Sequence, residues 1–146
     1  MQDPRDTLGY RVKRLQSALR ARTDEALATE GLTTPQFAAL VELAAEPGLT
    51  SAELARRCFV TAQTMHRITA RLEQASLVRA EADPADAKRR RLHPEPGARR
   101  RLERAVRLVA RVEADMVGSM SVADVRRVGR ELDACRERLE GREGVA

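Results

Sequence analysis

Apolar residues recur at helical spacing along most of this 146-residue chain, and this pattern constrains its fold more than any other feature. The clearest case is a first helix, predicted from Thr7 to about Ala28, whose apolar stripe consists of Leu8, Val12, Leu15 and Leu19. Aromatic residues make up only 2% of the chain, so a core must be built from Leu, Val, Ala and Met. Such a composition favours packed helices over sheets, and we expect a mainly α fold.

Helix-capping residues predict three further helices in the first half of the chain. Thr33 supplies a hydroxyl cap for a second helix, which Pro47-Gly48 ends. Thr50-Ser51-Ala52-Glu53 forms a capping box, in which hydroxyl and carboxylate each take a backbone amide, and opens a short third helix to about Cys58. A hydroxyl cap at Thr61 opens a fourth helix, with the inward positions Met65, Ile68 and Leu72.

A small β-hairpin and two more helices complete the predicted order. The hairpin has a short strand at 77–81, a turn at Asp83-Pro84-Ala85-Asp86 and a returning strand at 89–92. A fifth helix runs from about Gly97 to Met116 with the inward residues Leu102, Val106, Val109 and Val112. A sixth is capped at Ser121 and has the stripe Val125, Val128, Leu132, Cys135 and Leu139.

The first and last helices have more apolar surface than a small core can cover. A second copy of the chain would cover both, so we predict a homodimer whose interface contains Leu8, Val12, Leu15, Val125, Val128, Leu132, Cys135 and Leu139. The alternative is that both helices fold back on their own subunit.

The charge distribution points to a polyanionic partner. The formal net charge is +5, and residues 50–92 carry nine basic against five acidic side chains. The outer face of the fourth helix has hydrogen-bonding groups of the kind that read base edges: Gln63, Thr64, Arg67 and Arg71, with His66 at one edge. A short helix, a turn, a polar-faced helix and a basic hairpin form the arrangement that places one helix in the major groove of double-stranded DNA.

Several other function classes lack support in the sequence. No acid/base or nucleophile constellation indicates an enzyme, and neither histidine completes a metal-ligand set with Cys, Asp or Glu, so no cofactor is expected. No run of eighteen apolar residues and no signal-peptide pattern is present, so we expect a cytoplasmic protein with no membrane partner. Cys58 and Cys135 are expected to be small buried hydrophobic residues.

Three runs of residues resemble, in the same order, the MarR (multiple antibiotic resistance regulator) family: residues 32–40, Leu-Thr-Thr-Pro-Gln-Phe-Ala-Ala-Leu; residues 49–55, Leu-Thr-Ser-Ala-Glu-Leu-Ala; and Leu77-Val78 with Asp83-Pro84-Ala85-Asp86. The resemblance covers about Asp6 to Leu139. It implies a single winged helix-turn-helix domain over 1–146, with dimerisation helices at about 7–30 and 97–140 and a DNA-binding lobe at about 34–93. It also implies a homodimer on a pseudo-palindromic operator, most often a repressor, whose DNA binding a small aromatic or phenolic effector weakens.

The resemblance also assigns roles to individual residues. It implies that Thr61, Gln63, Thr64 and Arg67 face bases, that His66 is a weaker candidate, and that Asp86 braces the wing. The position that reaches the minor groove is Lys88 here, where Arg is usual, and Arg89 or Arg90 could substitute. The hairpin is about two residues shorter than usual on its returning side, which indicates a very short second strand and a wing of limited reach.

The resemblance places an effector pocket where helices one, two and five meet the DNA-binding lobe, with Tyr10, Phe37 and Phe59 as the only aromatic lining candidates. Two alternatives to a sequence-specific regulator stay open. A sequence-neutral architectural protein would share the basic charge but would rely on phosphate contacts or apolar wedges. A cysteine-based redox-sensing regulator would need a reactive thiol, whereas relatives of that type carry it in the first helix, where this chain has none.

Overall fold

The computed structural model describes residues 3–141, which form six α-helices, three β-strands and two short 3-10 turns at Pro4–Asp6 and Ala28–Glu30. The helices are α1 (Leu8–Leu27), α2 (Thr34–Ala45), α3 (Ser51–Arg57), α4 (Ala62–Gln74), α5 (Pro96–Val117) and α6 (Val122–Glu140). The strands are β1 (Leu49–Thr50), β2 (Val78–Asp83) and β3 (Asp86–Pro94). The predicted mainly α fold with a β-hairpin is confirmed.

Hydroxyl side chains cap five of these helices, as the sequence indicates. The caps of α1, α2, α3, α4 and α6 each accept a hydrogen bond from the backbone amide three residues further on, and they are Thr7, Thr33, Thr50, Thr61 and Ser121. In α2 and α3 the third residue, Gln36 or Glu53, also accepts the amide of the cap residue and completes a capping box. Each cap stabilises its helix by about 1 kcal/mol, which explains why these starts could be predicted to within a residue.

The three strands form one antiparallel sheet in the order β1-β3-β2. The strand β1, whose Leu49 pairs with Leu92 of β3, was not predicted from the sequence. The prediction of a very short returning strand was wrong, because β3 is nine residues long and the Val78–Pro94 pair extends the ladder to its end. Since β3 lies between two partners, backbone hydrogen bonds on both of its edges support a longer strand than the short hairpin indicated.

The chain divides into two compact units, Met1–Val112 and Glu113–Ala146. The core of the first consists of leucines from α1 to α4, joined by Met65 and by residues of the sheet. The inward positions predicted for α4, Met65, Ile68 and Leu72, are all buried. In α5 the predicted inward residue Val112 is buried and Leu102 and Val109 pack partly buried against the core, but Val106 is 47% exposed. The other buried positions of α5 are the small residues Ala98 and Ala105.

Much of the predicted dimer interface is exposed to solvent in the single chain. Exposed apolar side chains on α1 are Leu8, Val12 and Leu15, and those on α6 are Val122, Val128, Leu132 and Leu139. Val125 and Cys135 are half-buried. Within residues 3–141, no helix combines the length and apolar character needed to span a membrane.

Candidate nucleic-acid interface

The amphipathic helix α4 separates buried from exposed residues along its whole length. One face is buried in the core through Met65, Ile68, Thr69 and Leu72. All six candidate DNA-contacting residues of this region are exposed: Thr61, Gln63, Thr64, His66, Arg67 and Arg71. The helix therefore offers a continuous polar surface while its other face holds it rigidly on the core.

Hydrogen bonding within α4 distinguishes structural from available polar groups. The Thr61 hydroxyl accepts the Thr64 amide at 3.1 Å and donates to Thr64 Oγ1 at 2.9 Å, so Thr61 acts first as a helix cap. Among the described residues, the side chains of Gln63, Arg67 and Arg71 have no hydrogen-bond or ion-pair partner. These three side chains are available to a ligand without breaking an internal contact.

The turn from α3 to α4 is held in place from the side of α2. Arg57, the last residue of α3, forms ion pairs with Glu46 and, at 3.5 Å, with Glu42. Glu42 lies in the last turn of α2, and Glu46 directly follows that helix. The pairing positions α3, and with it the N-terminus of α4, relative to the rest of the lobe.

Internal ion pairs divide the nine basic residues of the segment 50–92 into two groups. Four of them have acidic partners within 4.0 Å, namely Arg57, Arg79, Arg90 and Arg91. The other five have no such partner in the described part of the chain, and they are Arg56, Arg67, Arg71, Lys88 and Arg89. The surface available for phosphate neutralisation is therefore smaller than the sequence count indicates.

The tip of the hairpin concentrates unpaired positive charge. Ala82 pairs with Arg90 and Asp83 pairs with Asp86, so residues 87–89 of β3 have no partner on β2 and form a bulge. Lys88 and Arg89 lie in this bulge, and both are exposed. Arg90 is also exposed but lies 3.7 Å from Glu73 of α4, so the two bulge residues are the better candidates for contacts with DNA.

The buried carboxylate of Asp83, which was predicted only as a turn residue, braces the wing. Asp83 is only 5% exposed; it pairs with Arg91 at 3.0 Å and accepts the Ala85 amide at 2.9 Å. Arg91 also donates to the Gly48 carbonyl at 2.9 Å, which links β3 to the segment before β1. Asp86, the predicted brace, is exposed and accepts only the Lys88 amide at 3.0 Å. The Asp-Pro step at a turn was the available signal, because Asp at such positions bonds its own backbone two residues on.

These contacts give the wing a predictable pH dependence. The Ala85 amide, and after it the Arg91 guanidinium, hold the pKa of the Asp83 carboxyl below its usual value. The ionised carboxylate thus stabilises the folded protein above the ordinary Asp pKa of about 3.9, and this contribution is lost as the pH falls through the lowered pKa.

We expect Asp83→Asn to reduce the free energy of unfolding at neutral pH and to lessen its decline on acidification, since Asn cannot ionise. Urea unfolding of both proteins at a series of pH values from about 6 to about 3 measures this difference. The matched control is Asp86→Asn, which removes a carboxylate from the same turn without breaking an ion pair. Parallel curves for the wild-type and Asp83→Asn proteins would contradict the assignment.

The three aromatic residues do not form a common pocket. Phe59 is 90% exposed in the turn between α3 and α4, so the described chain forms no pocket around it, and its assignment to an effector pocket stays a prediction. Phe37 packs against the core, and Tyr10 lies exposed on α1. An open groove does exist in the first unit, lined by Ala44, Arg99, Leu102, Glu103, Val106 and Arg107.

Within the described part of the chain, the cysteines are isolated and the acidic residues form no metal-binding group. Cys58 and Cys135 are half-buried rather than buried, and burial, with a smaller effect of Glu42, raises the pKa of the Cys58 thiol. A raised pKa disfavours the reactive thiolate. No group of three or more His, Cys, Asp or Glu residues that could hold a metal ion occurs within residues 3–141.

Comparison with known proteins identifies relatives of part of this chain. The family model described as MarR family matches residues 30–89. The chain is 45% identical to the HTH-type transcriptional repressor Rv2887 of Mycobacterium tuberculosis over 71 residues. These residues make up 49% of this chain and 51% of Rv2887. The chain thus spans about half the length of the curated mycobacterial relatives it matches. It is also 32% identical over 90 residues to the transcriptional regulator HosA of Escherichia coli, covering 62% of this chain and 67% of HosA.

Solved structures extend the similarity to nearly the full chain. The crystal structure of the Mycobacterium tuberculosis MarR family protein Rv2887 in complex with salicylic acid superimposes with a TM-score of 0.72 at 32% identity, covering 88% of this chain and 96% of that one. The transcriptional repressor CouR bound to a 23-mer DNA duplex superimposes with a TM-score of 0.79 at 26% identity, covering 92% and 96%. The winged helix-turn-helix fold expected from the sequence is therefore confirmed.

Proposed function

The chain belongs to the MarR family, and on this basis we propose that it is a sequence-specific DNA-binding transcriptional repressor. One observation carries the proposal: α4 presents Gln63, Arg67 and Arg71 on an exposed face where, within the described chain, they have no internal partner. Gln and Arg are the side chains that form bidentate hydrogen bonds with adenine and guanine in the major groove. Relatives named as repressors favour repression over activation.

In this proposal the wing contacts the neighbouring backbone and minor groove. Lys88 and Arg89 supply the charge at the hairpin tip, and the contacts of Asp83 with Arg91 and Ala85 stiffen its base. Lys88, Arg89 and Arg56 neutralise phosphates, which raises affinity without choosing a sequence. In this arrangement α4 recognises the bases, and the wing recognises the shape of the minor groove.

We further propose that the protein acts as a homodimer on a pseudo-palindromic operator. Within the single domain of 1–146, the segments at about 7–30 and 97–140 supply the dimer contacts, and the lobe at about 34–93 binds DNA. The exposed apolar residues of α1 and α6 support this assignment, since a second copy would remove them from water. Two lobes related by a two-fold axis would reach half-sites about 34–36 Å apart.

The open groove along α5 is the candidate effector site. It combines the apolar side chains of Leu102 and Val106 with the guanidinium groups of Arg99 and Arg107. This combination suits a small aromatic acid, the class to which the salicylic acid in the Rv2887 complex belongs. Salicylate is therefore the first compound to titrate against the protein–DNA complex, and a lowered DNA affinity is the expected effect.

Selection of bound duplexes from a random pool tests the proposed function directly. We expect enrichment of an inverted repeat whose half-sites are centred about one helical turn apart, bound about 10³-fold or more tightly than random duplex at matched salt. The same affinity for every duplex would instead support a sequence-neutral architectural protein. In that case Gln63 and Arg67 would have no base-reading role.

A further inference from the structure

The turn between α3 and α4 contains a residue whose conformation and exposure are both unfavourable in the free protein. Phe59 has a φ of +54°, in the left-handed region that residues other than Gly, Asn and Asp rarely adopt. Its side chain is also 90% exposed, the highest value among the large apolar residues described. A strained and fully hydrated aromatic residue needs an explanation outside the packing of the lobe.

The backbone of this turn explains why the left-handed conformation is required. The Phe59 amide donates to the Arg56 carbonyl at 3.3 Å, and the Val60 amide donates to the Ala55 carbonyl at 3.1 Å. These two bonds define a Schellman motif that ends α3, with Phe59 at the position that Gly most often occupies. Glycine would remove both the strain and the exposed ring without loss of a hydrogen bond.

The same motif occurs at the end of α4, which provides an internal comparison. There the Ser76 amide donates to the Glu73 carbonyl and the Leu77 amide to the Leu72 carbonyl, both at 2.9 Å, and Ser76 also has a φ of +54°. The side chain at that position is small and polar. The left-handed conformation is therefore shared by both helix ends, whereas the exposed aromatic side chain belongs to the α3–α4 turn.

The position of Phe59 identifies what the ring can contact. Phe59 lies two residues before Thr61, the cap of α4, and therefore within about 8 Å of it along the backbone. Gln63 and Thr64 belong to the first turn of α4, and the unpaired Arg56 lies three residues before Phe59. When the start of α4 enters a major groove, this turn meets the rim of that groove.

We propose that Phe59 packs against the apolar C–H surface of DNA at the edge of the major groove. This inference rests on the proposed function and adds an affinity-determining residue to it. Deoxyribose carbons and the thymine methyl group supply the same apolar chemistry at that place. Burial of the ring on DNA offsets the strain and the exposure that the free protein carries, which is a trade-off between stability and function.

Two substitutions separate the ring from the backbone. Phe59→Ala removes the ring but keeps the left-handed strain, whereas Phe59→Gly removes both. We expect both variants to bind the duplex enriched from the random pool about tenfold more weakly, while only Phe59→Gly gains thermal stability, by about 3 °C. Fluorescence anisotropy and thermal unfolding measure the two effects, and sedimentation should show an unchanged oligomeric state.

Ser76→Gly is the matched control, since it relieves the same strain in the same motif at the other end of α4. We expect it to raise the melting temperature by a similar amount and to retain wild-type DNA affinity. Replacing thymine by deoxyuridine in the enriched duplex separates the two contacts. If the replacement lowers the affinity of the wild-type protein but not that of Phe59→Ala, the ring contacts the methyl group. If it leaves the wild-type affinity unchanged, and Phe59→Ala loses the same affinity on the enriched and the random duplex, the ring contacts deoxyribose.

The outcomes that overturn the inference differ from those that overturn the proposed function. Wild-type affinity in both Phe59 variants, or an equal affinity loss in Ser76→Gly, overturns the inference alone. So does a change in oligomeric state, which would place the ring at a contact between protein chains. A wild-type protein that binds no duplex at all overturns the proposed function and this inference together.

Discussion

Leu132→Asp is expected to convert the proposed homodimer to a monomer at micromolar concentration. Leu132 lies near the middle of the exposed apolar stripe of α6, between Val128 and Leu139. An isologous interface contains every residue twice, so the substitution buries two unpaired carboxylates at a cost of about 3 kcal/mol or more. Sedimentation equilibrium of the wild-type and variant proteins measures the change.

Operator binding should fall with the dimer, because one subunit then binds one half-site alone. Loss of the second, linked binding event lowers the apparent affinity by about 10²-fold or more. The matched control is Arg130→Asp, which places the same carboxylate two residues away on the opposite side of the helix, where Arg130 is exposed. A Leu132→Asp protein that still sediments as a dimer would move the interface to another surface.

Arg67→Ala is expected to weaken operator binding by about 5–150-fold, which corresponds to about 1–3 kcal/mol for a lost bidentate contact with a base. Arg67 is exposed and has no acidic partner within the described chain, so the substitution breaks no internal ion pair. The variant should also lose its preference at one base pair in each half-site. Competition between the enriched duplex and single-base variants measures that preference.

Lys88→Ala provides the comparison for Arg67, because Lys88 at the hairpin tip is also exposed and unpaired in the described chain. A residue that contacts only phosphate should lower affinity equally on operator and random duplex and reduce the salt dependence by about one ion. Arg100→Ala on the exposed side of α5 should change neither. Equal losses for Arg67→Ala on operator and random duplex would exclude a base-reading role.

Local signals in the sequence were sufficient to predict the helices and the exposed face of α4. The hydroxyl caps at Thr7, Thr33, Thr50, Thr61 and Ser121 act within one turn of chain, so their hydrogen bonds follow from the sequence alone. The helical period of Met65, Ile68 and Leu72 likewise determined which side of α4 is buried. Both kinds of signal depend on residues three or four positions apart.

The features that the sequence left undetermined depend on distant partners. The strand β1 exists because Leu49 pairs with Leu92, and the wing brace exists because Arg91 reaches both Asp83 and Gly48. A count of charged residues along the sequence does not reveal that Arg57 forms ion pairs with Glu42 and Glu46. The groups involved are up to 43 residues apart, as in the Arg91–Gly48 bond, and spacing rules do not extend over such separations.

The sequence by itself therefore determined the helices, their caps and the polar surface of α4. Only the tertiary structure decided which charges stay free for a ligand, because pairing depends on side chains that folding brings within about 4 Å. It also decided that Phe59, which the family resemblance had placed in a pocket, is exposed in the folded chain. A left-handed turn at the end of α3 directs that ring to solvent, and this direction follows from backbone hydrogen bonds of the folded chain.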